Sequence, residues 1–140
     1  MHAMRYLIFD FRIQRQSEAR LGVSSPALLH GDSLFETLPV LEAVPLFLDQ
    51  HLARLEHSMH ALGYKSQLDR ASLRTAIDNL LTGNLVEQGR LRLSIFRGLN
   101  QLGRSMDLRA EEAGLLAGEH LLIQLYPLVD VAPCAAGLAR

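Results

Sequence analysis

The 140-residue chain reads as an α+β domain, a two-layer sandwich of a mostly antiparallel sheet with two helices on one face. Three observations carry that reading. Two stretches, 49–63 and 69–83, each open on an aspartate and repeat apolar residues three and four apart, which is the period of an amphipathic helix. Arg90 to Arg97, RLRLSIFR, alternates apolar and polar residues as a half-buried strand does. The other apolar runs are short and lie before and after the helical pair, so strands and helices segregate along the chain.

Arg5 to Arg12, RYLIFDFR, is rich in aromatic and β-branched residues and reads as a strand. Ile13 to Ser25 is polar, punctuated by Gly22 and Pro26, and reads as a loop or a short second strand. Leu34–Leu41 and Leu46–Leu48 read as a hairpin whose turn lacks an Asn-Gly or Asp-Gly pair, which leaves the turn type open. Asp49 is the expected N-cap of the first helix, with Leu52, Leu55, Met59 and Leu62 on its buried stripe and Gly63 as its stop. Asp69 caps the second; Leu68 and Leu73 are spaced for a hydrophobic staple, Leu73, Ile77, Leu80 and Leu81 form the buried face, and Gly83 ends it. Gly98 to Gly118 is polar and loop-like, with a short helical turn expected between Arg109 and Leu116. Leu121 to Leu128 is a continuous apolar run and reads as a buried strand, and Val129 to Arg140 resembles an interdomain linker.

Composition narrows the function. Fourteen Lys and Arg against fifteen Asp and Glu leave a net charge of −1, which does not suit non-specific nucleic-acid binding. No apolar run has the length of a membrane span, and no signal peptide is visible. One cysteine, Cys134, excludes an internal disulfide and fits a reducing cytosol, so a cytoplasmic location is expected. Lys65 is the only lysine, so chemistry that needs an amine has one candidate. Any metal site is unpromising: His57 and His60 share a helical face, but no further ligand has a convincing spacing, and solvated histidines are the better reading. Arg54 shares a helix flank with His51 and Ser58; an arginine fork there suits phosphate or carboxylate, although a solvated arginine is the ordinary alternative. Arg90, Arg92 and Arg97, with Arg104 beyond them, form a cluster of fixed charge that fits either carboxylate binding or pairing at a sheet edge.

Several segments combine into a resemblance. His30-Gly31-Asp32-Ser33-Leu34-Phe35-Glu36-Thr37-Leu38 resembles the G-D-x-x-F-E-T segment of the fold-type IV pyridoxal-phosphate enzymes, the class IV aminotransferases and aminodeoxychorismate lyases. Pro45 to Leu55 is similar to the family's P-x-x-L-x-x-H-x-x-R-L, and Leu91 to Gly98 to its strand ending in Arg-Gly. The resemblance covers most of residues 5–128. It implies that Arg54 binds the cofactor phosphate, that Phe35 stands in the place of a substrate-pocket aromatic, and that Arg97 and Arg104 belong to a loop that binds the substrate carboxylate. It also implies a homodimer acting on small amino-acid-type substrates with pyridoxal 5′-phosphate. Residues 1–128 would be the N-terminal small domain and 129–140 the start of the linker; the C-terminal domain with the Schiff-base lysine would be supplied in cis or in trans. Lys65 matches no family lysine, so this stretch is expected to hold no cofactor and to be catalytically inert by itself. The alternative is a non-catalytic binding or self-association module that reuses the domain, and an unrelated small α+β domain is the third reading.

Overall fold

The structure is a computed structural model and describes residues 4–98 and 108–128. The strands are β1 (Tyr6–Phe9), β2 (Arg12–Arg15), β3 (Ser33–Leu41), β4 (Val44–Pro45), β5 (Gly89–Arg97) and β6 (Glu119–Pro127). They form one antiparallel sheet in the order β2-β1-β6-β5-β3-β4. Two long helices, α2 (Leu48–Ala61) and α3 (Arg70–Asn84), cover one face, α2 over β3 and α3 over β1. Short helices α1 (Pro26–His30) and α4 (Leu108–Glu112) complete the described residues, with a 3-10 turn at Gln16–Glu18. This is the α+β architecture expected from the sequence.

The core lies between the helices and one sheet face. Leu38, Leu91, Leu93, Ile95, Leu121 and Ile123 point from the sheet toward Leu52, Leu55, Leu73, Ile77 and Leu80, and all are at most 2% exposed. Each such side chain contributes about 2 kcal/mol by leaving water. Asp69 caps α3 as expected, its carboxylate accepting from the Ser72 amide at 2.9 Å, and Leu68 and Leu73 are both buried beside it.

Several boundaries differ from the sequence reading. RYLIFDFR is not one strand: Asp10 and Phe11, both at positive φ, turn the chain between β1 and β2. The second hairpin strand is Val44–Pro45 rather than Leu46–Leu48, because Leu48 already begins α2. Asp49 is not the N-cap of α2; Phe47 is, in the left-handed region, while the Asp49 carboxylate sits in the first turn and turns to Arg70 and Arg74 of α3. Gly83 does not end α3, which runs to Asn84 and is capped by Leu85 at φ 55. Leu121–Leu128 is not buried throughout: Leu121, Ile123 and Leu125 are, while Leu122, Gln124 and Tyr126 face the other way. Arg90 and Arg92 lie on that second face and Arg97 on the helix-covered one, so the strand's arginines are not a single cluster.

The β3–β4 turn places Glu42 and Ala43 at φ 50 and 60, the twist of a type I′ turn, without asparagine or glycine. Replacing them together by Asn-Gly is expected to stabilise the chain by about 1–2 kcal/mol. A raised urea midpoint with an unchanged slope would show it, and an unchanged midpoint would mean that the strain is relieved elsewhere.

Candidate functional site

Glu36 is a carboxylate in a run of apolar positions. Leu34, Glu36, Leu38 and Val40 alternate along β3 and all face the helices. A charge there is costly unless it is paired. The partners come from α2, where His51 and Arg54 stand one turn apart above β3. Arg54 Nε donates to Glu36 Oε1 at 2.9 Å and lies 3.1 Å from Oε2, and Arg54 Nη2 donates to Oε1 at 2.6 Å. His51 Nδ1 is 2.7 Å from the same Oε1. Burial pushes the Glu36 carboxyl up, but the hydrogen bonds and charges of Arg54 and His51 outweigh it and hold it below its ordinary range. The Glu36 bonds in turn raise the Arg54 guanidinium. The Glu36 side chain is 11% exposed and that of Arg54 is 67% exposed. A largely buried carboxylate therefore holds a guanidinium whose far side is open to solvent.

Phe35 projects to the opposite face. The registers Phe35↔Ser94 and Thr37↔Arg92 put Phe35 and Arg92 on the helix-free face as diagonal neighbours. The Arg92 guanidinium carbon sits 4.0 Å from the Phe35 ring centroid, a cation–π contact, and Phe35 is 54% exposed. The two faces meet at the β3 edge, because β4 pairs only with Val40 and Leu41 and leaves residues 33–38 without an outer strand among the described residues.

Arg97 sits at the other end of β5 and has partners of its own. Its Nη1 donates to Asp32 Oδ1 at 3.0 Å, its Nη2 to the Leu62 carbonyl at 3.0 Å, and its guanidinium lies 3.9 Å from the Tyr64 ring centroid. Tyr64 Oη donates to Asp32 Oδ1 at 2.8 Å; burial first, then that bond and the Asp32 charge, raise the phenol well above its usual range. This cluster ties the Gly31-Asp32 turn to the end of α2. Gly31 adopts φ +65, and nothing lies within 4 Å of where a Cβ would be, so it serves the turn and not a close approach. Arg104 and Cys134 lie outside the described residues, as does the segment 129–140. Lys65 follows α2 with its amide held by the Glu119 carboxylate at 2.9 Å. Among the described residues no group of three His, Cys, Asp or Glu side chains is placed to hold a metal ion, and no helix is long and apolar enough to cross a membrane.

The structure thus joins Arg54 to His51, and Phe35 to Arg92, and it separates Arg97 from both. Sequence reasoning did not single out Glu36. The signal was present as a lone acid in the apolar alternation of β3.

Comparison with known proteins gives a consistent picture. The family model for amino-transferase class IV matches residues 33–120. The aminodeoxychorismate lyase of Bacillus subtilis (strain 168) is 30% identical over 94 residues, covering 66% of this chain and 32% of that protein. The D-alanine aminotransferase of Bacillus licheniformis is 26% identical over 92 residues, with the same 66% and 32% coverage. The chain therefore spans about a third of the length of these curated relatives. Among solved structures, the branched-chain amino acid aminotransferase of Escherichia coli superposes with a TM-score of 0.73 at 21% identity, over 95% of this chain and 43% of that one. The 4-amino-4-deoxychorismate lyase of Pseudomonas aeruginosa gives 0.60 at 29% identity, over 91% and 42%.

Proposed function

Because the chain belongs to the class IV aminotransferase family, we propose that it forms the phosphate-holding and substrate-facing small domain, residues 1–128, of a pyridoxal-phosphate-dependent transaminase or lyase. The observation that carries this is Arg54, an exposed guanidinium held in place by a largely buried carboxylate at an open sheet edge. Its remaining donors fit a phosphate, which arginine binds in bidentate fashion. When bound, the cofactor supplies the electron sink for chemistry at the substrate α-carbon. Residues of this chain bind and orient: Arg54 holds the phosphate and Phe35 walls the substrate from the other side of the β3 edge. Arg92, stacked on Phe35, joins Arg104 as a ligand for the substrate carboxylate. Arg97 fixes the Gly31-Asp32 turn that leads into β3.

We assign the Schiff-base lysine to a second domain, in cis or in trans, reached through 129–140. A homodimer in the cytosol, with the apolar side chains of the helix-free face covered, completes the proposal.

The test is the affinity of the complete protein for pyridoxal 5′-phosphate and for pyridoxal, which lacks the phosphate. Arg54→Ala is expected to weaken the phosphorylated form about thirty-fold and to leave pyridoxal unaffected. Equal affinity of wild type and variant for the phosphorylated form would remove Arg54 from the site.

A further inference from the structure

We propose that Glu36 is a positioning residue that selects how Arg54 meets its ligand: it occupies the Nε edge of the guanidinium and leaves the Nη end for an anion. The inference deepens, and rests on, the reading of Arg54 as the phosphate ligand. A guanidinium has five N–H donors and two useful approaches, side-on through Nε and Nη2 or end-on through Nη1 and Nη2. The Glu36 carboxylate takes the Nε hydrogen and one Nη2 hydrogen, at 2.9 and 2.6 Å. That is the whole side-on approach. Both Nη1 hydrogens and the second Nη2 hydrogen remain, on a side chain that is two-thirds exposed.

His51 completes the arrangement. With Glu36 ionised, Nδ1 carries a hydrogen and donates to Oε1 at 2.7 Å. Its 3.4 Å approach to Arg54 Nη2 then sets donor against donor, and takes no guanidinium hydrogen away from a ligand. Glu36 is thus held by two side chains one helical turn apart and has little freedom to release either. Its position among Leu34, Leu38 and Leu93 on the covered face keeps it from following an anion outward. A ligand phosphate therefore meets a guanidinium already fixed in the end-on orientation.

Inorganic phosphate titrated into the complete protein labelled with ¹⁵N-arginine tests this, with Arg54 resonances assigned by Arg54→Lys. The expected result is a saturable shift of the Arg54 Nη resonances while Nε–H stays in place. In Glu36→Ala the Nε–H resonance is expected to shift together with Nη, because the side-on approach is open. If Nε–H moves with Nη in the wild-type chain, the ligand displaces Glu36; the proposal fails while Arg54 keeps its role. If no Arg54 resonance responds, the phosphate reading and the proposal fall together. An Nε–H that stays fixed in a folded Glu36→Ala variant also overturns the proposal. Should that variant not fold, the wild-type titration decides alone.

Discussion

Replacing Gly114 by alanine is expected to cost at least about 3 kcal/mol of folding stability, among the largest effects a single methyl group can have in this chain. A Cβ at Gly114 would lie 1.7 Å from the Gln67 carbonyl oxygen and 2.7 Å from its carbonyl carbon, both backbone atoms with no rotamer to change. The two segments are stitched together there: the Gln67 amide donates to the Gly114 carbonyl at 3.0 Å and the Asp69 amide to the Ala113 carbonyl at 2.8 Å. Room for a methyl can come only from pulling these segments apart. Gly114 also adopts φ +92, where an L-residue is strained by about 1–2 kcal/mol whatever the space. Gly118 separates the two contributions. It adopts φ +86 but has nothing within 4 Å of a built Cβ, so Gly118→Ala should show the backbone strain alone. Urea unfolding of both variants checks the claim. Equal losses would mean that the close approach at Gly114 carries no energy of its own.

What the sequence makes legible, and what it hides, follows from the range of the interactions involved. The helices depend on spacing within one turn, so Leu52, Leu55 and Met59, and Leu73, Ile77 and Leu80, are readable as buried faces; Leu62, expected on the first of these stripes, is exposed because α2 has ended and Leu62 caps it. So is the Asp69 cap, whose hydrogen bond spans three residues. The turn at Asp10-Phe11 is hidden because its residues have reasons other than turn propensity. Asp10 holds His120 Nδ1 at 2.8 Å and the Leu121 amide at 3.0 Å, and Phe11 fills the core. Tertiary contacts pin a left-handed conformation that the residue types do not announce. Phe47 at the start of α2 is a similar case, with a carboxylate two residues on that looks like a cap and serves α3 instead.

The site divides in the same way. Arg54 and Phe35 are named by motifs that survive in linear sequence. Their partners are set by pleat parity: Glu36 and Phe35 are neighbours in sequence yet face opposite layers, and Arg92 and Arg97 differ by an odd number of residues and so separate. Parity can be read from Leu34, Glu36, Leu38 and Val40 once one of them is known to be buried. Which face then carries a ligand is decided by where the helices pack, and that is a property of the whole chain.

Glu119→Gln is expected to lower stability by about 3 kcal/mol at pH 7 and by much less in acid. Glu119 opens β6 and is 7% exposed. Its carboxylate accepts the Lys65 amide at 2.9 Å, the Ser66 amide at 2.8 Å and the Ser66 hydroxyl at 2.6 Å, and so ties the connection between α2 and α3 to the sheet. Ser66 Oγ passes the network on by accepting from the Leu116 amide at 2.9 Å. A glutamine presents one oxygen to these donors and turns its own N–H₂ toward an N–H, which leaves a buried amide unpaired. Burial pushes the Glu119 carboxyl up, but the Ser66 hydroxyl, the Lys65 and Ser66 amides and the Arg97 charge outweigh it and hold it below its ordinary range. A carboxyl lowered by folding stabilises fully above its unfolded value, and that stabilisation is lost as pH falls through the folded value. Glu36 and Asp69 are lowered too and contribute to the acid response of both proteins, so the difference between wild type and Glu119→Gln isolates this one group. Urea unfolding at a series of pH values from 7 down to about 3 should therefore show the two stability curves converging below the ordinary glutamate value. Parallel curves would mean that Glu119 acts through its shape and hydrogen bonds alone, with no contribution from its charge.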